Sequence, residues 1–564
     1  MIVTFLVRGF LGNMQHSRVV RTVHRLLAES LARLGTSHLF GLVGDANLFM
    51  VDAFVLNGTG RYIACTHEAN AVLAALGFAQ ATGRIGVATV THGPALTNTM
   101  TALAEGVKGG IPMVLLCGDT APGDLQHLQK IDQRPVAAAA GAGFVEMRGP
   151  EMALADLERA FRLAAHERRP IVFNMRIDLQ WAEASGQTFQ PVLPEVPIGP
   201  ARGAALEDAV GMIASARRPL ILAGRAAIES DAKAALLALA TRIEAPLATT
   251  LKAQGLFTGE PFDLGIFGNL SHPVAVDAIM ASDCIVAFGA SLSKHTTDDG
   301  ALTRGKRVIQ VLPDAAETPR MTEPGLRLIG DMAGTARAMI DLLDMAEIAG
   351  SGATDADLRE RLAAELVGRE TLAPVARTAP GTVDFVPALK ALNAALPKER
   401  AVVADLGRFV TTAWRHVPVT TPRDLVYTCH FGAIGCGLGE AIGAAAANPD
   451  RLTVLIAGDG GFLLSGLSEL GTAFREGMNL LVLICNDGSY GAEHVQFTRR
   501  GMDPGLSITA PPDFAAIASA MGIRALRVDG PESLAEACRA LSEPGMPSGP
   551  TLIDLRLDPT TIDM

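Results

Sequence analysis

Gly458-Asp459-Gly460-Gly461-Phe462 follows the apolar run Leu452–Ala457, and Asn486-Asp487-Gly488 follows the next apolar run, Leu480–Cys485. A buried strand that feeds a glycine loop and then a helix leaves backbone N–H groups uncovered. Those groups and the helix dipole can hold a phosphate or diphosphate. Asp459 sets a hard carboxylate beside such an anion. The neighbouring parallel strand brings Asn486 alongside, so a carboxylate oxygen, an amide oxygen and phosphate oxygens together form an octahedral site suited to Mg²⁺. Gly-Asp-Gly by itself also ends strands as an ordinary turn; the asparagine at this spacing, just past an apolar strand, gives the pair its chemical meaning.

Residues spaced this way need parallel strands whose C-terminal ends lie side by side. Short β-rich runs ending in Gly, Asp or Asn alternate with Ala/Leu-rich helical stretches, as at Ile111–Cys117, Pro219–Ala223, Cys284–Phe288 and Arg307–Val311. This is the pattern of an α/β fold built from crossover-connected parallel sheets with helices on both faces. Two stretches read as linkers: about 181–203, with Pro191, Pro194, Pro197 and Pro200, and about 345–383, mixing Gly, Ser, Thr and charge around a helix. They leave three blocks, 14–182, 204–344 and 383–564. The first and third blocks resemble each other. GVATVTHGPALTNTMTALAEGVKGGIPMVLLCGD and LTVLIAGDGGFLLSGLSELGTAFREGMNLLVLICND both run strand, Gly-rich loop, helix, strand, with 25 residues from Gly93 to Gly118 and 26 from Gly460 to Asn486. The reading is a duplicated α/β unit with a ligand held between the copies; two unrelated βαβ pieces are the alternative.

The chain has 564 residues, 49% hydrophobic and 19% charged, enough for three or four domains of ~150 residues. Its 58 glycines and 32 prolines follow no period, which excludes a collagen-like architecture. The 48 basic and 59 acidic side chains give a net charge of −11, and no Lys/Arg-rich block could neutralise a row of phosphates, so no nucleic-acid partner is expected. Mean hydropathy is +0.28, yet the longest uncharged run, 85–104, contains His92, Gly93, Pro94, Asn98 and several threonines. That is not a membrane-spanning helix. Met1–Asn13 is apolar with one arginine and no small-residue cleavage site, and reads as a start placed upstream of Met14 in preference to a targeting segment. Seven cysteines, odd in number and without CxxC spacing, read as buried free thiols of a cytoplasmic protein.

The glycine loop followed by Asn486 resembles the signature of the thiamine diphosphate (ThDP) dependent enzymes of the acetolactate synthase, pyruvate oxidase and benzoylformate decarboxylase superfamily, and the resemblance covers nearly the whole chain. It implies a pyrimidine-binding domain (14–182), a central domain (204–344) and a diphosphate-binding domain (383–564), with ThDP and Mg²⁺ as cofactors. Mg²⁺ would be held by Asp459, Asn486 and the backbone carbonyl of Gly488, and Gly458, Gly460, Gly461, Tyr490 and Gly491 would border the cofactor. Glu68, in Cys65-Thr66-His67-Glu68-Ala69-Asn70-Ala71, matches the family glutamate that bonds the aminopyrimidine N1′. Apolar surroundings would raise its pKa so that it shares a proton with the ring; the exocyclic amine can then become an imine and take the thiazolium C2 proton, creating an ylide. A glutamate opening an alanine-rich helix is also favoured by the helix dipole alone. Phe431-Gly432-Ala433-Ile434-Gly435-Cys436-Gly437-Leu438 resembles the segment that supports the bent cofactor, with Ile434 as the wedge and Gly432 among its backbone contacts; Gly439-Glu440 follow where the family often has proline. Asp405-Leu406-Gly407-Arg408-Phe409 resembles the diphosphate-side loop, in which Arg408 is either a phosphate contact or a surface arginine.

Other residues would choose the substrate. His92, between a strand and a Gly-Pro loop, is expected to face the cofactor with a near-neutral pKa suited to proton transfer; a loop histidine bonded to a backbone carbonyl is the alternative. Leu128-Gln129-Lys130-Ile131-Asp132 resembles the acetolactate synthase stretch in which a glutamine faces C2, so Gln129 inherits that role, with His127 a poorer candidate nearby. Glu493 lies near the acid that follows Asn-Asp-Gly-Tyr in pyruvate decarboxylases, displaced by one extra residue, Ser489. In the central block, Ser291-Leu292-Ser293-Lys294-His295 stand where flavin-containing acetolactate synthases carry an arginine- and aspartate-rich stretch, so FAD is not expected. Gln496-Phe497 stand where many acetolactate synthases have tryptophan.

The resemblance implies a ThDP- and Mg²⁺-dependent 2-oxo-acid decarboxylase or carboligase resembling acetolactate synthase. A lyase acting on 2-hydroxyketones or acyl-CoA substrates and a non-catalytic homologue are the alternatives; the joint presence of Glu68, Asp459 and Asn486 speaks against the second. A nicotinamide-dependent dehydrogenase shares parallel sheets and glycine loops, but the chain lacks a convincing GxGxxG after a first strand with an acidic residue about 20 positions on. The family also implies a homodimer or homotetramer with active sites at the subunit interface, where Glu68 of one subunit meets Asp459 of its partner.

Overall fold

The structure is a computed structural model that describes residues 21–58, 60–184, 198–314, 325–370, 379–543 and 549–559. Met1–Asn13, Met14, Pro191, Pro194, Pro197 and part of the second linker lie outside the described residues. Two compact units are present, Met1–Leu76 with Ile85–Pro194, and Gly77–Arg84 with Glu195–Met564.

The first unit holds a six-stranded parallel sheet of β1 (His38–Gly41), β2 (Arg61–Ala64), β3 (Gly86–Val90), β4 (Met113–Asp119), β5 (Gly143–Glu146) and β6 (Pro170–Arg176), in the order β2-β1-β3-β4-β6-β5. β4 and β6 are almost wholly buried, as near-continuous apolar strands covered on both faces must be. The sequence places β4 at Ile111–Cys117; the strand starts later because Pro112 has no N–H to give to a ladder, and it runs on through Gly118 and Asp119 against Met175 and Arg176. Helix Val23–Arg33 turns Val23, Leu26, Leu27 and Leu31 to the same core as Phe54, Phe161 and Phe173. Each such side chain stabilises the fold by about 1.5–3 kcal/mol.

The second unit holds two parallel sheets. β7 (Pro219–Ala223), β8 (Leu247–Thr249), β9 (Asp263–Ile266), β10 (Cys284–Phe288), β11 (Arg307–Leu312) and β12 (Leu326–Ile329) run in the order β12-β11-β10-β7-β8-β9. β13 (Ala401–Ala404), β14 (Leu425–Tyr427), β15 (Thr453–Gly458), β16 (Leu480–Asn486), β17 (Arg524–Val528) and β18 (Thr551–Arg556) run in the order β14-β13-β15-β16-β18-β17. That last order repeats the first sheet strand for strand, in agreement with the internal repeat of the sequence, while the central sheet has its own order. In both related sheets a Gly-rich loop follows the third strand and the second motif follows the fourth. Ligands of open α/β sheets bind beyond such carboxyl ends.

None of the seven cysteines forms a disulfide; five are buried and two half-buried. Among the described residues no helix is long and apolar enough to cross a membrane; the uncharged run 85–104 is spent on β3, the short helix Pro94–Thr97 and the start of helix Met100–Gly109.

Candidate active site

β15 and β16 are paired in register, with Gly458 opposite Cys485, so the residues that follow, Asp459 and Asn486, are neighbours. Both are 2% exposed. Asp459 Oδ2 and Asn486 Oδ1 are buried without a hydrogen-bond partner among the described residues. An unsatisfied buried oxygen costs about 1–3 kcal/mol, more when charged. The Asn486 amide cannot relieve this by turning over, because its Nδ2 donates to Asp554 Oδ1 at 2.8 Å. Burial, and then the charge of Asp487, push the Asp459 carboxyl up to about 7 against the pull of the Gly460 and Gly488 N–H groups. Two hard oxygens in one buried corner with a reluctant carboxylate fit a small divalent cation such as Mg²⁺. The Gly488 carbonyl accepts from Thr509 N at 2.9 Å, which leaves one of its two lone pairs.

The glycine loop does not lead into a plain α-helix. Asp459–Gly461 makes one turn and Phe462–Gly466 continues as a π-helical turn. A side chain at Gly466 would come within 2.6 Å of the Phe462 ring, so the tight turn needs glycine there. Such turns inside helices concentrate at functional sites. Opposite it, Gly435 holds φ +86, and Asp405, fully buried, accepts its N–H at 2.9 Å together with the N–H groups of Cys436 and Gly437. Burial pushes the Asp405 carboxyl up to about 6 despite these bonds. Ser465 Oγ donates to the Gly435 carbonyl. These contacts fix the turn that carries Ile434, which is half-buried; Gly432 is exposed.

Arg408 is not a surface residue. Its side chain is 2% exposed and its guanidinium engages Asp487 Oδ2 at 2.7 and 2.9 Å, so the phosphate contact suggested by resemblance would have to share it with Asp487. A side chain at Gly491 would strike Arg408 Cδ at 2.6 Å. Phe409 belongs to the hydrophobic core and lies against Gly407 and Gly458; it supports the glycine loop from behind. Tyr490 is partly exposed with its ring beside Gly460. Glu493 is exposed on helix Gly491–Arg499. The extra residue Ser489 is buried, and its N and Oγ both donate to Asp487 Oδ1 at 2.9 Å.

In the first unit, Glu68 opens helix Glu68–Thr82 half-buried, and Asn98 Nδ2 donates to its Oε2 at 3.0 Å. His92 is 1% exposed. Its Nδ1 lies 3.0 Å from Thr91 Oγ1 and 3.6 Å from Asp45 Oδ1, its ring is 4.8 Å from that of His127, and its Nε2 is buried without a hydrogen-bond partner among the described residues. Burial lowers the His92 pKa, with Asp45 opposing and His127 reinforcing that shift. The Gln129 backbone passes so close to Gly93 (φ +59) that a Cβ there would sit 2.1 Å from the Gln129 carbonyl oxygen. The fold therefore brings His92 and Gln129 together. Gln129 is half-buried, and its N–H donates to His127 Nδ1 at 3.2 Å.

Sequence reasoning missed Asp45, Thr91, Asp405, Asp487 and Asp554 as working residues. Thr91, Asp405 and Asp487 lie inside the quoted motifs and could have been weighed there. Asp45 and Asp554 have no local signal; only strand pairing brings Asp45 to Thr91 and Asp554 to Asn486.

Three stretches match models of one family, the thiamine pyrophosphate enzymes: its N-terminal TPP binding domain at residues 21–136, its central domain at 206–339 and its C-terminal TPP binding domain at 405–555. The chain is 26% identical over 547 residues to the acetolactate synthase isozyme 2 large subunit of Escherichia coli K12, covering 95% of this chain and 94% of that one. It is 28% identical over 546 residues to a protein of Pseudomonas aeruginosa named probable 2-ketoarginine decarboxylase AruI, covering 95% and 94%. It is 28% identical over 555 residues to the acetolactate synthase large subunit IlvG of Mycobacterium tuberculosis, covering 96% and 97%.

Proposed function

The chain belongs to the thiamine pyrophosphate enzymes, and from that premise we propose that it is a ThDP- and Mg²⁺-dependent 2-oxo-acid decarboxylase or carboligase. The observation that carries the proposal is the pair of buried, unsatisfied oxygens, Asp459 Oδ2 and Asn486 Oδ1, inside the stretch matched to the C-terminal TPP binding domain. The names of its relatives, acetolactate synthases and a 2-ketoarginine decarboxylase, point to the same chemistry.

Asp459, Asn486 and the remaining lone pair of the Gly488 carbonyl would hold Mg²⁺, whose positive charge would favour the carboxylate that burial and Asp487 disfavour. Gly458, Gly460 and Gly461 let the backbone approach the diphosphate, with Gly407, Tyr490 and Gly491 at its border. Arg408 braces that border through Asp487, and Phe409 packs behind it. The Gly435 turn, tied to Asp405, positions Ile434 and Gly432, which would support the cofactor. Glu68 holds a proton at the aminopyrimidine N1′. When bound, the cofactor supplies a carbon nucleophile and an electron sink for carbon–carbon chemistry next to a carbonyl. Gln129 orients the substrate, His92 moves a proton on its side of the site, and Glu493 stands at the rim. The central domain is a structural member that needs no FAD.

The chain acts as a homodimer or homotetramer in the cytoplasm, with Glu68 of one subunit serving the site that holds the partner subunit's Asp459. Reconstitution with ThDP and Mg²⁺, a panel of 2-oxo acids with and without aldehyde acceptors, and detection of CO₂ and acyloins test the reaction. The expected result is turnover of at least one 2-oxo acid; the absence of both ThDP binding and turnover would overturn the proposal. Mixing Glu68→Gln chains with Asp459→Ala chains tests the shared site, because only mixed dimers can restore one intact centre.

A further inference from the structure

Thr91 and His92 follow β3, and the loop after β1 brings Asp45 against them. Ala46 N donates to Thr91 Oγ1 at 3.3 Å, Thr91 Oγ1 donates to Asp45 Oδ1 at 3.1 Å, and His92 Nδ1 lies 3.0 Å from Thr91 Oγ1. A threonine hydroxyl has one proton and two lone pairs. Its proton is committed to the Asp45 carboxylate, so the third bond must be donated by the imidazole. The hydrogen of His92 therefore sits on Nδ1, and Nε2 carries the lone pair. That nitrogen is the buried one without a hydrogen-bond partner among the described residues.

We infer that Asp45 and Thr91 are positioning residues that hold His92 in its Nδ1–H tautomer, so that Nε2 is the atom that takes up and returns the substrate's proton. The inference deepens the decarboxylase or carboligase reading and rests on it. The groups that face the ring are Asp45 and Asp119, whose charges favour the imidazolium, and His127, which disfavours it; burial outweighs them and keeps the resting ring neutral. Nε2 uses its lone pair to form one N–H bond as the substrate's bond to hydrogen breaks, and the reverse step restores the neutral ring. Nδ1–H stays on Thr91 throughout, and the transient charge faces Asp45 3.6 Å away.

Nitrogen-15 NMR of histidine-labelled protein, with the His92 signals assigned by their loss in His92→Asn, reads the tautomer directly in the resting chain. The wild type and Thr91→Ser are expected to show Nδ1 protonated and Nε2 bare. Thr91→Val is expected to shift the ring toward the Nε2–H form and to lower turnover of a 2-oxo acid by about 10²-fold, the lower end of what a positioned acid–base group contributes. Asp45→Asn is expected to lower the His92 pKa further. A wild-type ring that is mainly Nε2–H, or a Thr91→Val spectrum indistinguishable from wild type, would overturn the inference. The expected tautomers without turnover of any 2-oxo acid would uphold the positioning role and overturn the proposed reaction instead.

Discussion

Asn486 Nδ2 donates to Asp554 Oδ1 at 2.8 Å, so an aspartate on β18 decides which atom of the Asn486 amide faces the candidate metal site. With Nδ2 engaged, Oδ1 is left as the bare oxygen beside Asp459. Removing a group that orients a metal ligand typically lowers metal affinity about 10–100-fold. Asp554→Ala is therefore expected to weaken Mg²⁺-dependent ThDP binding by that factor, and Asp554→Asn, which keeps an acceptor oxygen, by less. Calorimetric titration measures both; unchanged affinity in Asp554→Ala would mean that the amide is oriented by something else.

The Asp459 carboxyl, raised to about 7 by burial and by Asp487, sets a pH dependence for the metal. A proton and Mg²⁺ compete for the same oxygen. Mg²⁺ affinity is expected to rise by up to about tenfold per pH unit below about pH 7 and to level off above it. Titrations at intervals between pH 5.5 and 8 read the slope. A flat profile would remove Asp459 as the ligand whose deprotonation limits binding.

The sequence made legible what is local. Strands, loops and the Asp459–Asn486 pair are carried by apolar runs and the residues that immediately follow them, and the agreement of sheet order between the first and third sheets accounts for the internal repeat. What remained hidden depends on pairing across the chain: Asp554 lies 68 residues from Asn486, Asp487 79 residues from Arg408, and Asp45 46 residues from Thr91. No spacing rule connects such partners before the order of the strands is known. The π-helical turn at Phe462–Gly466 was hidden for a different reason, because it depends on how closely Gly466 approaches the Phe462 ring.

Arg408 and Asp487 form a buried ion pair next to the site. Breaking such a pair from one side leaves an uncompensated buried charge and costs about 3–5 kcal/mol. Arg408→Met is expected to destabilise the protein by that order and, by leaving Asp487 unneutralised near Asp459, to weaken Mg²⁺ binding at pH 6 more than at pH 8. Arg408→Met combined with Asp487→Leu is expected to recover most of the stability. Thermal melts and metal titrations of the single and double variants separate the two effects. Equal melting points for the wild type and Arg408→Met would show that the pair contributes nothing.

Asp405 ties the Ile434 turn to β13, and its carboxyl is pushed up to about 6 by burial, although Leu406, Gly435, Cys436 and Gly437 all donate to it. Its native pKa lies above the ordinary value of 3.8, so between about pH 4 and 6 the native state binds more protons than the unfolded chain. Its contribution to stability is then greatest below about pH 4 and is lost as the pH rises to about 6, a change of at most about 3 kcal/mol. Asp405→Asn keeps an acceptor for the Gly435 N–H and removes the titration, so its melting temperature is expected to gain on that of the wild type as the pH rises from 4 to 7. Asp405→Ala frees the turn, and ThDP affinity is expected to fall at every pH because Ile434 is no longer held. Melting curves across that range, with ThDP titrations of both variants, check the pair of outcomes. A constant offset between Asp405→Asn and the wild type would show that Asp405 does not titrate there, and unchanged ThDP affinity in Asp405→Ala would detach the turn from cofactor binding.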